Sequence, residues 1–226
     1  MINLIFLGPP GSGKGTQAKI ISKKLSLPII STGNILREEI IKKSYVGLKA
    51  AAFLDSGDLV PDDVVISIIE NRIANIDYDN GFIMDGFPRN VSQAKKFDDM
   101  LSSMRKGIDS VLELKIDSNI LVQRMLSRFT CAKCGEIYNK LYKNTKEKNI
   151  CDICGSSDFM YRKDDNDQVI RSRQKVYEDT SKDLVEFYLT KGLIYKLDAS
   201  ESSNFITEKI LGHISKITHN SSNNNN

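Results

Sequence analysis

The chain is poor in the groups that most often carry acid–base chemistry. It has two histidines in 226 residues. Both, His213 and His219, fall in the last helical stretch and the polar tail, outside any motif, and they are read as bystanders. No apolar run approaches the ~20 residues that a membrane-spanning helix needs, so no membrane partner is expected. The N-terminus carries no basic segment and its apolar run stops at Gly8, short for a signal peptide, so a soluble, cytoplasmic protein is expected. No internal repeat is present. Excess charge is also scarce: 32 Lys and Arg face 29 Asp and Glu, a net +3. That balance alone does not indicate a nucleic-acid binder, but it suits anionic small ligands. The four cysteines come as two close pairs, which in a reducing compartment points to a metal and away from disulfides. The length and the 40% hydrophobic content fit one domain with an insertion, or two small domains.

What is present begins at the start of the chain. An apolar run, Ile2 to Leu7, leads into Gly8-Pro9-Pro10-Gly11-Ser12-Gly13-Lys14-Gly15-Thr16 and then a helix-forming pattern. Gly8, Gly13 and Lys14 fit the phosphate-loop spacing, with Gly15 where a hydroxyl residue is usual and Thr16 one position later. Glycines let backbone N–H groups turn inward on a polyphosphate, the following helix adds its positive end, and Lys14 adds a mobile charge.

Further on, Pro28–Ile30, Gly81–Met84, Val111–Ile116 and Leu193–Leu197 read as strands separated by helical stretches. Pro61-Asp62-Asp63 starts a helix with Val64, Ile68, Ile69 and Ile73 as its apolar stripe. Asp117 starts another, expected to run to about Arg128. A long helix spans about Asp167 to Lys191, with Val169, Val176, Leu184, Phe187 and Tyr188 as core candidates. This alternation predicts an α/β phosphate-loop fold, a five-stranded parallel sheet flanked by helices. Ligands in such sheets bind beyond the carboxyl ends of the strands. Gly8, Thr32, Asp85, Asp117 and Asp198 are therefore expected along one edge. From Thr130 to Tyr161 apolar periodicity vanishes, marking a small inserted unit, and Ser221 to Asn226 reads as disordered tail.

Three further constellations carry chemistry. Asp85, an acid after an apolar strand, suits magnesium held directly or through water. Arg37, Arg89, Arg124, Arg128, Arg162 and Arg173 lie near strand ends or the insert, and the i, i+4 spacing of Arg124 and Arg128 predicts one helix face. Such charges suit phosphoryl transfer, whose transition state spreads negative charge over the moving oxygens. Cys131-x-x-Cys134-Gly135 and Cys151-x-x-Cys154-Gly155 form a four-thiolate zinc pattern with no open position, hence structural. The other reading of this insert, a zinc ribbon touching nucleic acid, rests on Lys140, Lys143, Lys146 and Lys148; no aromatic stacking platform supports it.

Together these residues resemble the adenylate kinases, the bacterial type with a long zinc-bearing lid, from Ile2 to about Ile214. The carriers are the loop from Gly8 to Thr16, Ser31-Thr32-Gly33 with Leu36-Arg37, Asp85-Gly86-Phe87-Pro88-Arg89 with Gln93, Arg124 and Arg128, Ile137-Tyr138, Arg162-Lys163-Asp164-Asp165, Arg173, and Leu197-Asp198. The resemblance implies reversible phosphoryl transfer from MgATP to AMP, giving two ADP, in purine nucleotide homeostasis. It implies ATP contacts at Gly11, Ser12, Gly13, Lys14, Gly15, Thr16, Arg124, Arg128, Ile137, Tyr138 and Glu201. It implies AMP contacts at Thr32, Arg37, Asp58, Leu59, Val60, Gly86, Phe87, Pro88, Arg89, Gln93, Arg162 and Arg173. Lys14, Arg89, Arg128, Arg162 and Arg173 would carry the reaction, with zinc on the four cysteines and magnesium arriving with ATP. The implied organisation is a core of 1–30, 61–126 and 166–218, an AMP-binding segment 31–60, a lid 127–165 and a tail 219–226, acting as a monomer. Thr32 and Gln93 are of the adenine-accepting type rather than the UMP/CMP type. Two positions depart from the pattern: Asn34 stands where Asp is usual, and Asn139 where His is common.

Overall fold

The structure, a computed structural model, describes residues 1–74, 78 and 80–223. Five parallel strands form the main sheet: β1 (Ile2–Leu7), β2 (Ile29–Ser31), β3 (Gly81–Asp85), β4 (Ser110–Lys115) and β8 (Ile194–Asp198). Their spatial order is β2-β3-β1-β4-β8. The first strand is thus central, and the loop after it sits where the chain turns to opposite sides of the sheet. Binding crevices form at such switch points.

β1 is almost wholly apolar because both of its faces are covered; its one polar residue, Asn3, is buried and donates to the Gly107 carbonyl at 2.7 Å. Ile5 and Leu7 join one core with Phe82, Met84, Phe97 and Tyr188. Leu4 and Phe6 join the other with Ile21, Leu112, Ile206 and Ile210. Alternation along the strand sends neighbours to opposite faces, and each fully buried side chain of this size contributes about 1.5–3 kcal/mol. α1 (Lys14–Leu25) and α8 (Ser203–Asn223) cover the second core; α4 (Asp62–Ala74), α5 (Val91–Ser103) and α7 (Asp167–Thr190) cover the first. Val176 turns to the cleft instead of the core. Helix α8 continues through 219–223, where a disordered tail was expected, and 224–226 lie outside the described residues.

Two excursions leave this core. The first is a helix pair, α2 (Thr32–Ile41) and α3 (Tyr45–Ser56). Ser44 caps α3 by accepting from Gly47 N at 3.0 Å. The helices approach so closely there that a Cβ on Gly47 would stand 2.1 Å from the Glu39 carbonyl oxygen. The second excursion follows α6 (Ser118–Leu126), and here the sequence expectation fails. The helix ends at Leu126, and Arg128 already belongs to a strand, β5 (Arg128–Cys131). Antiparallel pairing with β6 (Ile137–Asn139), plus β7 (Phe159–Met160) on the other side, overrides the helical spacing. Arg124 and Arg128 therefore reach the same space from a helix and a strand. This small sheet also has a core that periodicity did not reveal. Phe129 stacks on Tyr138 at 5.4 Å, and Phe159 meets both edge-on. Among the described residues, no helix is long and apolar enough to cross a membrane.

Candidate active site

A cleft with a cavity volume of about 790 Å³ opens over the carboxyl ends of β1 and β3. Its floor is the loop from Gly8 to Gly13. Gly8 is required, because a Cβ there would meet the Leu114 carbonyl at 2.6 Å; Gly11, at φ +84°, would press on Met125. Gly13 starts α1 without any side-chain cap, so the first N–H groups of that helix remain directed at the cleft. Gly11, Ser12, Gly13, Lys14, Gly15 and Thr16 all line it.

Lys14 donates to the carbonyl oxygens of Gly8 at 2.6 Å and Pro9 at 2.8 Å. Burial pulls its ammonium down to about 8; Asp85 opposes this, while Arg89, Arg128 and Arg173 add to it. The lysine is waiting for anions. A polyphosphate beside it would restore the ordinary value, so binding should take up protons where Lys14 is partly neutral. Calorimetry of preformed MgATP binding, in two buffers of different ionisation enthalpy, should give roughly half a proton taken up per ATP near pH 8 and almost none below about pH 7. Proton release, or no uptake from pH 8 to 9, would contradict this placement. The sign for stability follows the same linkage. Between about pH 8 and 10.5 the unfolded chain holds more protons at this lysine, so this group makes the free protein more stable as pH rises.

The arginines converge on this floor from four directions. Arg37 comes from α2, Arg89 from the loop after β3, Arg128 from β5 and Arg173 from α7, with Arg162 on the returning arm of the small sheet. Burial and mutual repulsion pull Arg37, Arg89 and Arg162 below the ordinary guanidinium value, yet a guanidinium remains charged at neutral pH. Two adjacent acids answer this charge. Asp165 takes a two-pronged contact from Arg128, with Nε at 2.8 Å from Oδ2. Asp164 lies 2.5 Å from Arg173 Nη2 and 4.0 Å from Arg37 Nη1. Burial alone would raise the Asp164 carboxyl, but Arg173, Arg37 and Arg162 hold it below the usual range. On the opposite side, Lys19 of α1 donates to the Gly135 carbonyl and pairs with Glu136 at 3.8 Å. The inserted sheet is therefore closed onto the core from both flanks.

Arg124, Ile137, Tyr138 and Glu201 line the same cleft. Arg124 donates to the Ala199 carbonyl at 3.0 Å, and its guanidinium lies 5.3 Å from the Tyr142 ring centre. The Tyr138 side chain itself turns away into the small core. Its hydroxyl lies 3.3 Å from Cys151 Sγ and accepts from Asp152 N at 2.8 Å, so β6 faces the cleft with backbone there.

A second, smaller pocket of about 40 Å³ adjoins the first, between α2, α3 and the loop after β3. Thr32, Arg37, Asp58, Leu59, Val60, Gly86, Arg89, Gln93 and Arg173 line it. Thr32 donates to the Gly86 carbonyl at 2.9 Å, and Arg89 Nε donates to the same oxygen at 2.9 Å. Gln93 is almost fully buried; it accepts from Arg89 N at 2.8 Å and donates to Asp62 at 2.7 Å. Asp62 was missed in the sequence. Its only signal there was an acid after Pro61, which reads as a helix start, as it also is.

Three of the named side chains are engaged outside the cleft. Phe87 packs into the core, 5.2 Å from Phe97, and reaches neither pocket, while its neighbours Gly86, Pro88 and Arg89 line the cleft. Asp117 and Asp198 follow strand ends but are spent on turns, Asp117 accepting from Asn119 N and Asp198 from Ser200 N. Asp85 does reach the cleft and accepts from Ser31 Oγ at 3.1 Å. It belongs to no cluster of three or more potential metal ligands; the four cysteines are the one such cluster among the described residues.

Those cysteines lie with all four Sγ atoms within 4.8 Å of one another. The pairs Cys131–Cys154 and Cys134–Cys151 are 3.5 Å apart, and tetrahedral thiolates around zinc stand about 3.8 Å apart. No disulfide forms.

A family model described as adenylate kinase matches residues 6–193. The adenylate kinase of Archaeoglobus fulgidus is 42% identical over 216 residues, 96% of this chain and 99% of that protein. That of Clostridium botulinum (strain Langeland) is 40% identical over 216 residues, 96% of this chain and 98% of its own. That of Clostridium tetani is 39% identical over 209 residues, 92% and 96%.

Proposed function

This chain belongs to the adenylate kinase family, and from that premise we propose how its cleft performs ATP:AMP phosphotransfer. The enzyme is a nucleoside monophosphate kinase. The observation that carries the mechanism is the convergence of Lys14, Arg37, Arg89, Arg128, Arg162 and Arg173 on one cleft beside a capless helix start. The histidines stand elsewhere: His213 is stacked on Tyr195 and bonded to Ser110, and His219 is on the far end of α8. Positioned charge, not a general base, is what this site offers. AMP needs no base, because a phosphate monoester is mostly dianionic at neutral pH, its second pKa being about 6.

In this reading ATP lies between the Gly8–Thr16 loop and the lid 127–165, with its base toward Arg124 and Glu201. Lys14 leaves the loop carbonyls for the β/γ-phosphates. AMP lies against the segment 31–60, its phosphate on Arg37 and Arg89 and its base near Thr32 and Gln93. The pocket there must widen to admit it, and Gln93 must exchange its bond to Asp62 for the base. Arg128, Arg162 and Arg173 brace the transferring group, releasing Asp164 and Asp165 as phosphate replaces carboxylate. Lid closure holds water out, protecting ATP from hydrolysis. Asp85, one carboxylate with room for water, would hold magnesium indirectly; the ion supplies neutralising charge on the phosphate oxygens. All these residues come from one chain, which supports a monomer, and four unbridged cysteines support a reducing, cytoplasmic setting.

An acceptor screen tests the base assignment. AMP should be phosphorylated far faster than GMP, UMP or CMP; a preference for a pyrimidine would overturn the roles given to Thr32 and Gln93.

The four thiolates fit zinc in a closed set, so its role is stability. The lid's core holds only a few aromatics, and metal ligation supplies much of its order. Replacing Cys151 and Cys154 together with Ser should remove bound zinc and lower Tm by several degrees, roughly 2–4 °C per kcal/mol lost. Phosphotransfer should persist near room temperature, because every arginine remains. Metal content, Tm and turnover on one preparation decide it: loss of all turnover in a folded protein would place the metal in the reaction.

A further inference from the structure

Asn139 sits at the end of β6, directly across from Arg128 in the antiparallel register. Its carboxamide is used to an unusual degree. The Oδ1 atom accepts from Leu141 N at 2.8 Å and Tyr142 N at 3.1 Å, and it lies 3.1 Å from Ser127 Oγ, whose single proton has the nearer Gln123 carbonyl at 2.5 Å. The Nδ2 group donates to the Arg124 carbonyl at 2.8 Å. That carbonyl belongs to the last turn of α6, where a helix leaves its final oxygens without internal partners. One side chain thus joins the end of the helix that carries Arg124 to the turn after β6 that carries Tyr142, beside the Ser127 joint where the lid begins.

The connected parts meet again across the cleft. The Arg124 guanidinium faces the Tyr142 ring at 5.3 Å, and both residues line the cavity. Arg124 is fixed from its other side by the Ala199 carbonyl. The spacing of the Arg124–Tyr142 wall depends on where the 140–142 turn is held, and the Leu141 and Tyr142 N–H groups both end on Asn139 Oδ1. The backbone holds the two ends of the turn, with Lys140 N donating to the Ser127 carbonyl at 2.9 Å and Asn139 exchanging bonds with Lys143, and the carboxamide holds the residues between them.

We propose that Asn139 is a positioning residue for the ATP side of the cleft, stapling the 140–142 turn to the end of α6 so that Arg124 and Tyr142 keep the separation the nucleotide base requires. This deepens the reading given above and rests on ATP lying on the lid side. An imidazole could not take this place unchanged. One ring nitrogen can donate to the Arg124 carbonyl, but the other offers a single lone pair for the two backbone N–H groups.

Asn139→Ala and Asn139→Asp test it. Steady-state kinetics varying each substrate, amide hydrogen exchange of the free protein and zinc content would be measured together. For Asn139→Ala the ATP KM should rise about tenfold, the loss expected for roughly one net hydrogen bond's worth of positioning. The AMP KM should stay within about twofold and zinc should remain bound. The Leu141 and Tyr142 amides should exchange at least about tenfold faster. Asn139→Asp keeps the acceptor and loses the donor, so both amides should stay protected while the ATP KM rises less; this variant carries the test if the alanine variant does not fold. Unchanged exchange with a raised ATP KM would mean that the carboxamide touches ATP itself, which overturns a positioning role. Faster exchange with an unchanged ATP KM would overturn it too. Faster exchange with a rise confined to the AMP KM would leave the staple standing and overturn the assignment of ATP to the lid side.

Discussion

Lys14→Met is expected to lower kcat by about 10²–10³-fold, the scale of losing one preorganised charge aimed at a developing anion, with the fold intact. Lys14 packs against no core; its ammonium rests on the Gly8 and Pro9 carbonyls of its own loop. Removing it leaves those oxygens facing a cleft open to water, so the stability cost is small. The catalytic cost is large because the ammonium is partly desolvated before substrate arrives and cannot be replaced by solvent at the moment of transfer. Circular dichroism and turnover on one sample check it. A native spectrum with surviving turnover would remove Lys14 from the reaction.

Arg89→Ala is expected to act on AMP and leave ATP affinity nearly unchanged. Arg89 lies in the loop after β3, lines both pockets, and is oriented by the Gly86 carbonyl, which also holds Thr32. A charge-assisted bond to phosphate is worth about 1.5–3 kcal/mol, or about 10–150-fold in kcat/KM for AMP. The loss should appear in both KM and kcat, because the same contact both binds AMP and aligns its attacking oxygen for in-line transfer. Kinetics varying AMP at saturating ATP, and direct ATP binding, separate the two. Equal losses toward both nucleotides would mean that Arg89 does not belong to the acceptor side.

Features encoded locally were legible in the sequence. The Gly8–Thr16 loop follows from glycine and lysine spacing alone, and β1, β3 and β4 read as strands because burial on both faces makes them mostly apolar, with Asn3 and Glu113 among the buried polar exceptions. The two C-x-x-C-G knuckles announced the clustering of the four cysteines by spacing. What was missed depends on distant pairing. The end of α6 at Leu126 is set by β6, so the i, i+4 argument for Arg124 and Arg128 reached the right cleft by the wrong geometry. Phe129, Tyr138 and Phe159 make the lid's core across a fold of the chain that no helical or strand period describes. Asp62 looked like a helix start because it is one, and only the packed structure brings it to Gln93. Asp117 and Asp198 lie after strands, along the edge expected of them, but both carboxylates are taken up by the next turn of backbone.

The most direct test of the account is ADP formation from ATP and AMP, followed with and without magnesium and with AMP omitted. The expected result is two ADP formed for each ATP consumed, dependence on magnesium, and ATP loss without AMP slower by orders of magnitude, since the closed lid and the AMP site together keep water from the γ-phosphate. ATP hydrolysis to ADP and phosphate at a comparable rate without AMP, or no ADP formation at all, would contradict it.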